Sequence, residues 1–349
     1  MYIYIDSKIN GTFAMLIQYF EDGIFDKNQY TVLLKYYKIS KNHKKLLEKN
    51  HITSISIRRW SDLPDLTSQT IFYLFNAQSN CRLVSYRKAK HIFIGHGESN
   101  KLASAKPIFR IYDYIAVAGN GSIDRFLEQK IFTQCDVEHG KFLKVGAQFI
   151  GEAKYCYDEN AKIILYAPTW EGGIKEENYS SITNSLESFS FLSKYMKKYE
   201  IKSIIIQPHP NIGHRDSSYI SALIKGILFL KQENFSVSLR PIKTSLFYNL
   251  FLKFIVPIHQ EQNTAISRAF CDVSAMEIQL LNKEIPTFVF FNDTKNLLPH
   301  NVLTDKYYKN VGIYNFKSAL VIDKDLLKQV KKYYIEPRGF QEYINLVGE

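Results

Sequence analysis

Four short stretches of the chain set an ionisable or polar side chain where an apolar run stops. The sharpest is His91-Ile-Phe-Ile-Gly-His96-Gly97-Glu98-Ser99-Asn100-Lys101. A strand ending in a His-Gly pair puts the imidazole at a sheet's carboxyl end. Its near-neutral pKa suits it to take a proton from a hydroxyl nucleophile. Gly97 permits a tight turn and close approach of a ligand. Lys101 adds a point charge, and Glu98 is the next candidate for the base. Taken alone, the window also reads as a turn with a solvated His.

The second stretch is Ile204-Ile-Ile-Gln207-Pro208-His209-Pro210, with His214 and Arg215 close behind. Two prolines fix the backbone around one imidazole. An imidazole and a guanidinium near a strand end can hold a diphosphate. The third is Cys271-Asp272-Val273-Ser274-Ala275-Met276-Glu277. Asp272 or Ser274 would cap a helix there, whose free N–H groups and dipole attract phosphate; a plain N-cap is the simpler reading. The fourth, Ile163-Ile-Leu-Tyr166-Ala-Pro168-Thr169-Trp170-Glu171-Gly172-Gly173, carries one of two tryptophans. An aromatic at a strand end stacks on a base or closes the core. Other stretches are weaker. Gly119-Asn-Gly-Ser122 lacks the third glycine of a dinucleotide fingerprint and the lysine of a P-loop, so it reads as a turn with Ser122 as cap. Cys135-Asp-Val-Glu-His139 has no second half to complete a metal site. Glu21-Asp22-Gly23 reads as a helix stop. No metal and no cofactor is expected.

These residues need a scaffold that brings strand ends together. Apolar runs predict strands at Tyr2–Ile5, Thr31–Lys35, Ile52–Ile57, Thr70–Leu74, His91–Ile94, Tyr114–Ala118 and Phe142–Val145. Helical patterns fall between them at Thr12–Phe20, His43–Lys49 and Ile123–Glu128. A second series predicts strands at Lys162–Tyr166, Ser203–Gln207, Phe235–Leu239, Phe254–Ile258 and Thr287–Phe291. Its helices are expected at Thr183–Lys198, Ser218–Leu230, Gln262–Phe270 and Ser274–Leu281. Strand–helix alternation means parallel sheet covered by helices. The apolar-poor segment Gly146–Asn160 divides the chain into domains at 1–150 and 151–349. Two doubly wound domains would put a ligand cleft at the carboxyl ends of their sheets. The last helix, Lys324–Tyr334, can cross back to the first domain.

The 349 residues are 46% hydrophobic and 23% charged, which is globular rather than disordered. No apolar run reaches the roughly 18 residues of a membrane span, and no signal peptide is expected. Four scattered cysteines fit a reducing compartment. A net charge of +11 favours anionic partners. No RNP-like or KH-like element is present, so nucleic acid is not expected among them.

Taken in order, the strand–His-Gly–Lys element, the YAPTW stretch, the His-Pro pair and the Asp-x-Ser helix start resemble the CDP-glycerol glycerophosphotransferase family. That family includes teichoic acid polymerases, primases and capsule-synthesis relatives. The resemblance covers about residues 65–292. It implies an α/β fold with two Rossmann-like domains facing across a cleft, the glycosyltransferase B type. The first domain would serve the acceptor and the second the donor nucleotide. The implied reaction moves glycerol phosphate, or a related polyol phosphate, from a CDP-linked donor to a hydroxyl. The acceptor would be an anionic polysaccharide or lipid-linked glycan. The implied place is cytoplasmic, with peripheral contact at the membrane's inner face. His96 matches the family's general base and His209 the histidine on the donor phosphates. Asp272 and Ser274 match the family's stretch at the donor helix; beside these, Thr169 and Arg215 are candidates on the donor side, and Gly97, Glu98 and Lys101 on the acceptor side. The family's Thr-Asp-Tyr-Ser-Ser is Cys-Asp-Val-Ser-Ala here, and Glu171 stands where Arg often follows the tryptophan. Two other readings are a CMP-sugar-dependent transferase of the same fold and a degenerate relative that binds polyanions without chemistry.

Overall fold

The computed structural model describes residues 1–8, 10–38, 40–75, 77–95, 97–173, 175–242, 246–291, 297–316, 322–337 and 339–340. The chain divides into two units. The first holds Met1–Glu98, Ala105–Gly151 and Ile335–Glu349; the second holds Ser99–Ser104 and Glu152–Tyr334.

In the first unit the strands are β1 (Tyr2–Ile5), β2 (Thr31–Lys35), β3 (Ser54–Ile57), β4 (Thr70–Tyr73), β5 (Lys90–Phe93), β6 (Tyr114–Val117) and β7 (Phe142–Lys144). Its helices are α1 (Asn10–Glu21), α2 (Ser40–Lys49), α3 (Cys81–Val84), α4 (Asn120–Glu128) and α5 (Gln134–Glu138). The sheet is all parallel in the order β3-β2-β1-β4-β5-β6-β7. The apolar runs of the central strands are buried on both faces, as parallel sheets require. Ile3, Ile5, Val32, Leu34, Phe72 and Ile92 meet Phe13, Leu16 and Leu47 from α1 and α2 in one core.

The second unit opens with β8 (Tyr155–Tyr157). Its main strands are β9 (Ile163–Ala167), β10 (Ser203–Ile206), β11 (Ser236–Leu239), β13 (Arg268–Asp272), β14 (Thr287–Phe291) and β15 (Gly312–Tyr314). A short β12 (Thr264–Ile266) pairs with β8. The covering helices are α6 (Glu187–Lys198), α7 (Ser218–Gln232), α8 (Leu246–Ile255), α9 (Ala275–Asn282), α10 (Val302–Val311) and α11 (Lys324–Tyr334). The six-stranded sheet is parallel in the order β11-β10-β9-β13-β14-β15. In each sheet two strands lie on one side of the first strand, β1 or β9, and the rest on the other, which is the Rossmann order.

Two expected elements differ. Phe254–Ile258 is not a strand: the apolar run from Leu246 forms α8, and only Ile258 bridges Leu239 at the sheet edge. Leu252 and Val256, four residues apart, bury one side of that stretch, so a 3.6-residue period wins over a β-rich composition. Gln262–Phe270 is not a helix but contains β12 and the start of β13. β13 lies between β9 and β14, and its two-sided burial erases the alternation that marks a strand.

Helix α11 stays in the second unit, through buried Leu326, Leu327, Val330 and Tyr334. The chain beyond it joins the first unit. There Glu336 N–H donates to the Ala118 carbonyl at 2.8 Å. The Phe340 N–H donates to Gln148 Oε1, and its ring packs edge-on against Phe72 and Phe149 at 5.6 and 4.8 Å.

Candidate functional site

In the second sheet, β9 is the point where strand order reverses. β10 lies on one side of it and β13 on the other. Loops leaving the carboxyl ends of such strands part from one another and leave room for a ligand. Three of the four sequence stretches end at this edge: Thr169 and Trp170 after β9, His209 after β10, and Asp272 and Ser274 at β13.

Asp272 closes β13 and is fully buried. Its Oδ2 accepts the backbone N–H of Thr169 at 2.7 Å and of Ser181 at 3.1 Å. The carboxylate therefore ties together β13, the turn after β9 and the segment at residue 181. Its Oδ1 is buried without a hydrogen-bond partner among the described residues. Burial pushes its pKa up to about 7, against the bonds from Ser181 and Thr169 and the nearby Lys101 ammonium. Asp272 thus does not cap α9. Ser274 holds the cap position with extended backbone but makes no side-chain cap bond, and its buried Oγ has no partner among the described residues.

Lys101 follows His96 by five residues, yet belongs to the second unit. Its backbone bridges Leu297. Its Nζ donates to Thr169 Oγ1 at 2.9 Å and stands 5.2 Å from the centre of the Tyr179 ring. Burial lowers its pKa to about 8, while Asp272 and Glu177 oppose that shift. Near neutral pH it is a largely charged, poorly hydrated ammonium beside a carboxyl close to its titration midpoint.

His209 stacks on Trp170, with ring centroids 5.7 Å apart and planes 17° from parallel. The Asn211 N–H donates to Nδ1 at 3.1 Å, which leaves the ring proton on Nε2. Burial lowers the imidazole pKa to about 4, with Lys101 pushing the same way and Glu171 opposing. At pH 7 His209 is a neutral ring whose Nε2–H is a donor.

The sequence offered no role for Glu171, and its environment supplies one. The fully buried carboxylate accepts N–H groups of Arg215 and Asp216 on Oε1, at 2.8 and 3.0 Å, and of Gly213 on Oε2, at 3.0 Å. Burial alone would raise its pKa, but these backbone bonds and that of its own N–H hold it below the usual value. Gly213 needs its φ of +72°, and a Cβ there would meet the Ile220 side chain at 2.4 Å. Glu171 thus fixes the loop between His209 and α7. Arg215 is exposed, and its backbone N–H is what the loop uses. A further polar group was not foreseen: Arg240 donates to Tyr155 Oη at 3.1 Å, and that hydroxyl donates to Gln207 Oε1 at 2.5 Å. The Arg at the end of the β11 run was the available signal.

In the first unit, His96 lies outside the described residues. Gly97 is exposed with φ +148°, a conformation that glycine accepts freely. Glu98 is buried and receives Ser122 Oγ at 2.5 Å and an Arg125 guanidinium nitrogen. Ser122 thus sits inside the first turn of α4 and serves Glu98 rather than the cap. Among the described residues, no three His, Cys, Asp or Glu side chains gather as a metal site, and no helix is long and apolar enough to cross a membrane.

Within α9, Glu277 is fully buried. Tyr308 Oη donates to its Oε1 at 2.9 Å, and Asn100 Nδ2 donates to that hydroxyl at 2.6 Å. Burial pushes Glu277 up to about 7, against the tyrosine hydroxyls. Glu277 and Asp272 both bind a proton more tightly folded than unfolded. Their stabilising contribution is full below the ordinary carboxyl range and is lost as pH climbs to about 7. Melting temperature should therefore fall between pH 5 and 7.5 at fixed ionic strength, and Glu277→Gln should flatten that slope. An identical slope in the variant would show that Glu277 ionises normally.

The chain is therefore a protein of two Rossmann-like parallel α/β units, the components of a glycosyltransferase fold of the B type. It matches no protein-family model and no curated protein. Solved structures resemble it at low identity. UDP-GlcNAc 2-epimerase from Neisseria meningitidis, bound to UDP-GlcNAc, is similar over 100% of this chain and 93% of its own, at 12% identity and a TM-score of 0.46. UDP-glucose: anthocyanidin 3-O-glucosyltransferase in complex with UDP is similar over 99% and 98%, at 8% identity and 0.43. The glycotransferase of kitacinnamycin is similar over 99% and 97%, at 9% identity and 0.41.

Proposed function

We propose that this chain is a transferase that moves glycerol phosphate, or a related polyol phosphate, from a CDP-linked donor to an acceptor hydroxyl. The acceptor is an anionic polysaccharide or lipid-linked glycan of the cell surface. The motif order supports the donor class. The observation that carries the reading is the group at the reversal point of the second sheet. There a half-buried ammonium, Lys101, and a neutral Nε2–H donor, His209, accompany the Ser274 hydroxyl, unpartnered among the described residues, at the start of α9. These are hydrogen-bond donors and positive charge beside a carboxyl, Asp272, that burial keeps partly protonated near neutral pH, which suits a diphosphate.

In the proposed reaction the acceptor oxygen forms a bond to the β-phosphorus of the donor. The bond from that phosphorus to the bridging oxygen breaks, and CMP leaves with the electron pair. His96 takes the hydroxyl proton. Lys101, His209 and the α9 start offset charge on the departing phosphate. Thr169 holds Lys101 in place, and Asp272 holds Thr169.

Incubation with CDP-glycerol, CDP-ribitol, CMP-sugars and UDP-sugars, read as free nucleotide and phosphodiester product, tests the class. His209→Ala should weaken CDP binding by about 1–3 kcal/mol, the range for a hydrogen bond to a charged group. Calorimetry checks it, and unchanged affinity would remove the donor phosphates from this edge.

A further inference from the structure

The first unit carries a charged recess at the end of its sheet opposite the one that His96 follows. Lys90 opens β5, Asp113 stands just before β6 and Lys141 just before β7, so the three gather at the amino ends of adjacent strands. Two cavities of about 450 and 600 Å³ adjoin there, with Arg87, Asp113 and Lys141 in the walls of both. Lys90 and His139 line the first and Arg110 the second. Such volumes suit a small ligand.

The two carboxylates of the recess are already engaged. Asp113 accepts Arg87 at 2.5 Å and the His91 N–H at 2.8 Å. Asp136 accepts the N–H and the hydroxyl of Thr133 at 2.7 and 2.8 Å, closing the cap of α5. Arg110 and Lys141 converge on one ring, standing 5.5 and 5.6 Å from the centre of Phe132. Arg110 donates to the Ile131 carbonyl and Lys141 to that of Tyr112, both at 2.5 Å. A guanidinium has five N–H donors and an ammonium three, so one such bond leaves most of them over. Burial lowers the pKa of Lys141, and Arg110 and Arg87 push the same way, against Asp113 and Asp136. Three like charges thus stand close enough to repel, which a bound anion would relieve.

We propose that this recess binds a phosphate-bearing ligand, with Arg87, Arg110 and Lys141 on its phosphoryl oxygens. An arginine fork matches two phosphate oxygens at once. Adjoining cavities that share two cations suit a ligand with two anionic groups, such as a diphosphate. Val84 and Ile111 give the second cavity an apolar wall for the body of an organic phosphate. Every lining residue belongs to the first unit, whereas the donor-suited atoms belong to the second. The inference is independent of the proposed reaction.

Calorimetry and thermal melts with inorganic diphosphate, CMP and glycerol 3-phosphate test it, each against chloride at matched ionic strength. The expected result is saturable binding that raises the melting temperature beyond the chloride control. Arg87→Gln, Arg110→Gln and Lys141→Gln together should weaken it by about ten-fold or more, as for lost hydrogen bonds to a charged group. Arg110→Gln alone, at an exposed side chain, should give part of that loss with the ligand-free melting temperature unchanged, which guards against misfolding. His209→Ala should leave binding at the recess intact, so the two sites are told apart. The tightest of the three probes shows whether the phosphate arrives as a free ion, on a nucleotide or on a polyol. A response no greater than that to chloride would overturn the proposal, as would undiminished binding by the triple variant. Binding that His209→Ala abolishes and the triple variant keeps would also overturn it, placing the anion at the donor edge.

Discussion

His96→Ala should lower turnover by about 10²–10⁴-fold, the usual contribution of a positioned general base, and leave CDP affinity near that of the wild type. The separation follows from where the groups sit. The donor-suited atoms belong to the second unit, and His96 follows β5 of the first. A base must reach the acceptor hydroxyl, not the nucleotide. Turnover should also fall at acid pH, because a protonated base accepts nothing. Glu98 is a poor substitute, since Ser122 and Arg125 already occupy its oxygens in a buried setting. Steady-state CMP release and CDP calorimetry on one preparation, with a thermal melt as fold control, decide the matter. Full turnover without His96 would remove it from the chemistry. Loss of donor affinity alone would move it into the donor site.

Asp272→Ala should produce the largest loss of stability among the site residues. It strands the Thr169 and Ser181 N–H groups, and each unpaired buried donor costs about 1–3 kcal/mol. It also removes from Lys101 a carboxylate that favours its charged form. Asp272→Asn keeps an acceptor oxygen for the two N–H groups and should cost much less. Urea unfolding of both variants near pH 7 distinguishes the accounts. Equal stability of Ala and Asn would mean that the carboxylate does not hold the turn after β9. The Asn variant should also lose part of the decline in stability with rising pH, because Asp272 no longer sheds a proton across that window.

Strands β1, β2, β9, β10 and β14 were legible because each is a compact apolar run closed by a turn signal. Strand β13 and helix α8 were not. One is buried on both faces and loses its alternation; the other is apolar on both faces and resembles strand by composition. At the site, strand-end positions of Thr169, His209 and Asp272 could be read locally. Their partners could not. The Lys101–Thr169 bond spans 68 residues and the Asp272–Thr169 bond spans 103. Lys101 looked like a companion of His96 because it is near in sequence, but its segment packs with the other unit. Glu171 looked like a departure from a motif until the three N–H groups around it were known.

The return of the chain past Ile335 bears on how the protein is made. Phe340 is 1% exposed in the core that also contains Phe25, Phe72 and Phe149. Every other buried ring of that core belongs to Phe149 or an earlier residue. On the ribosome, the first unit must therefore wait with an aromatic gap in its interior while the whole second unit is translated. Domains usually fold as they emerge; here the first unit is closed only after the second has been made. Emergence of residue 340, rather than completion of the first sheet, becomes the moment at which the core of that unit is filled.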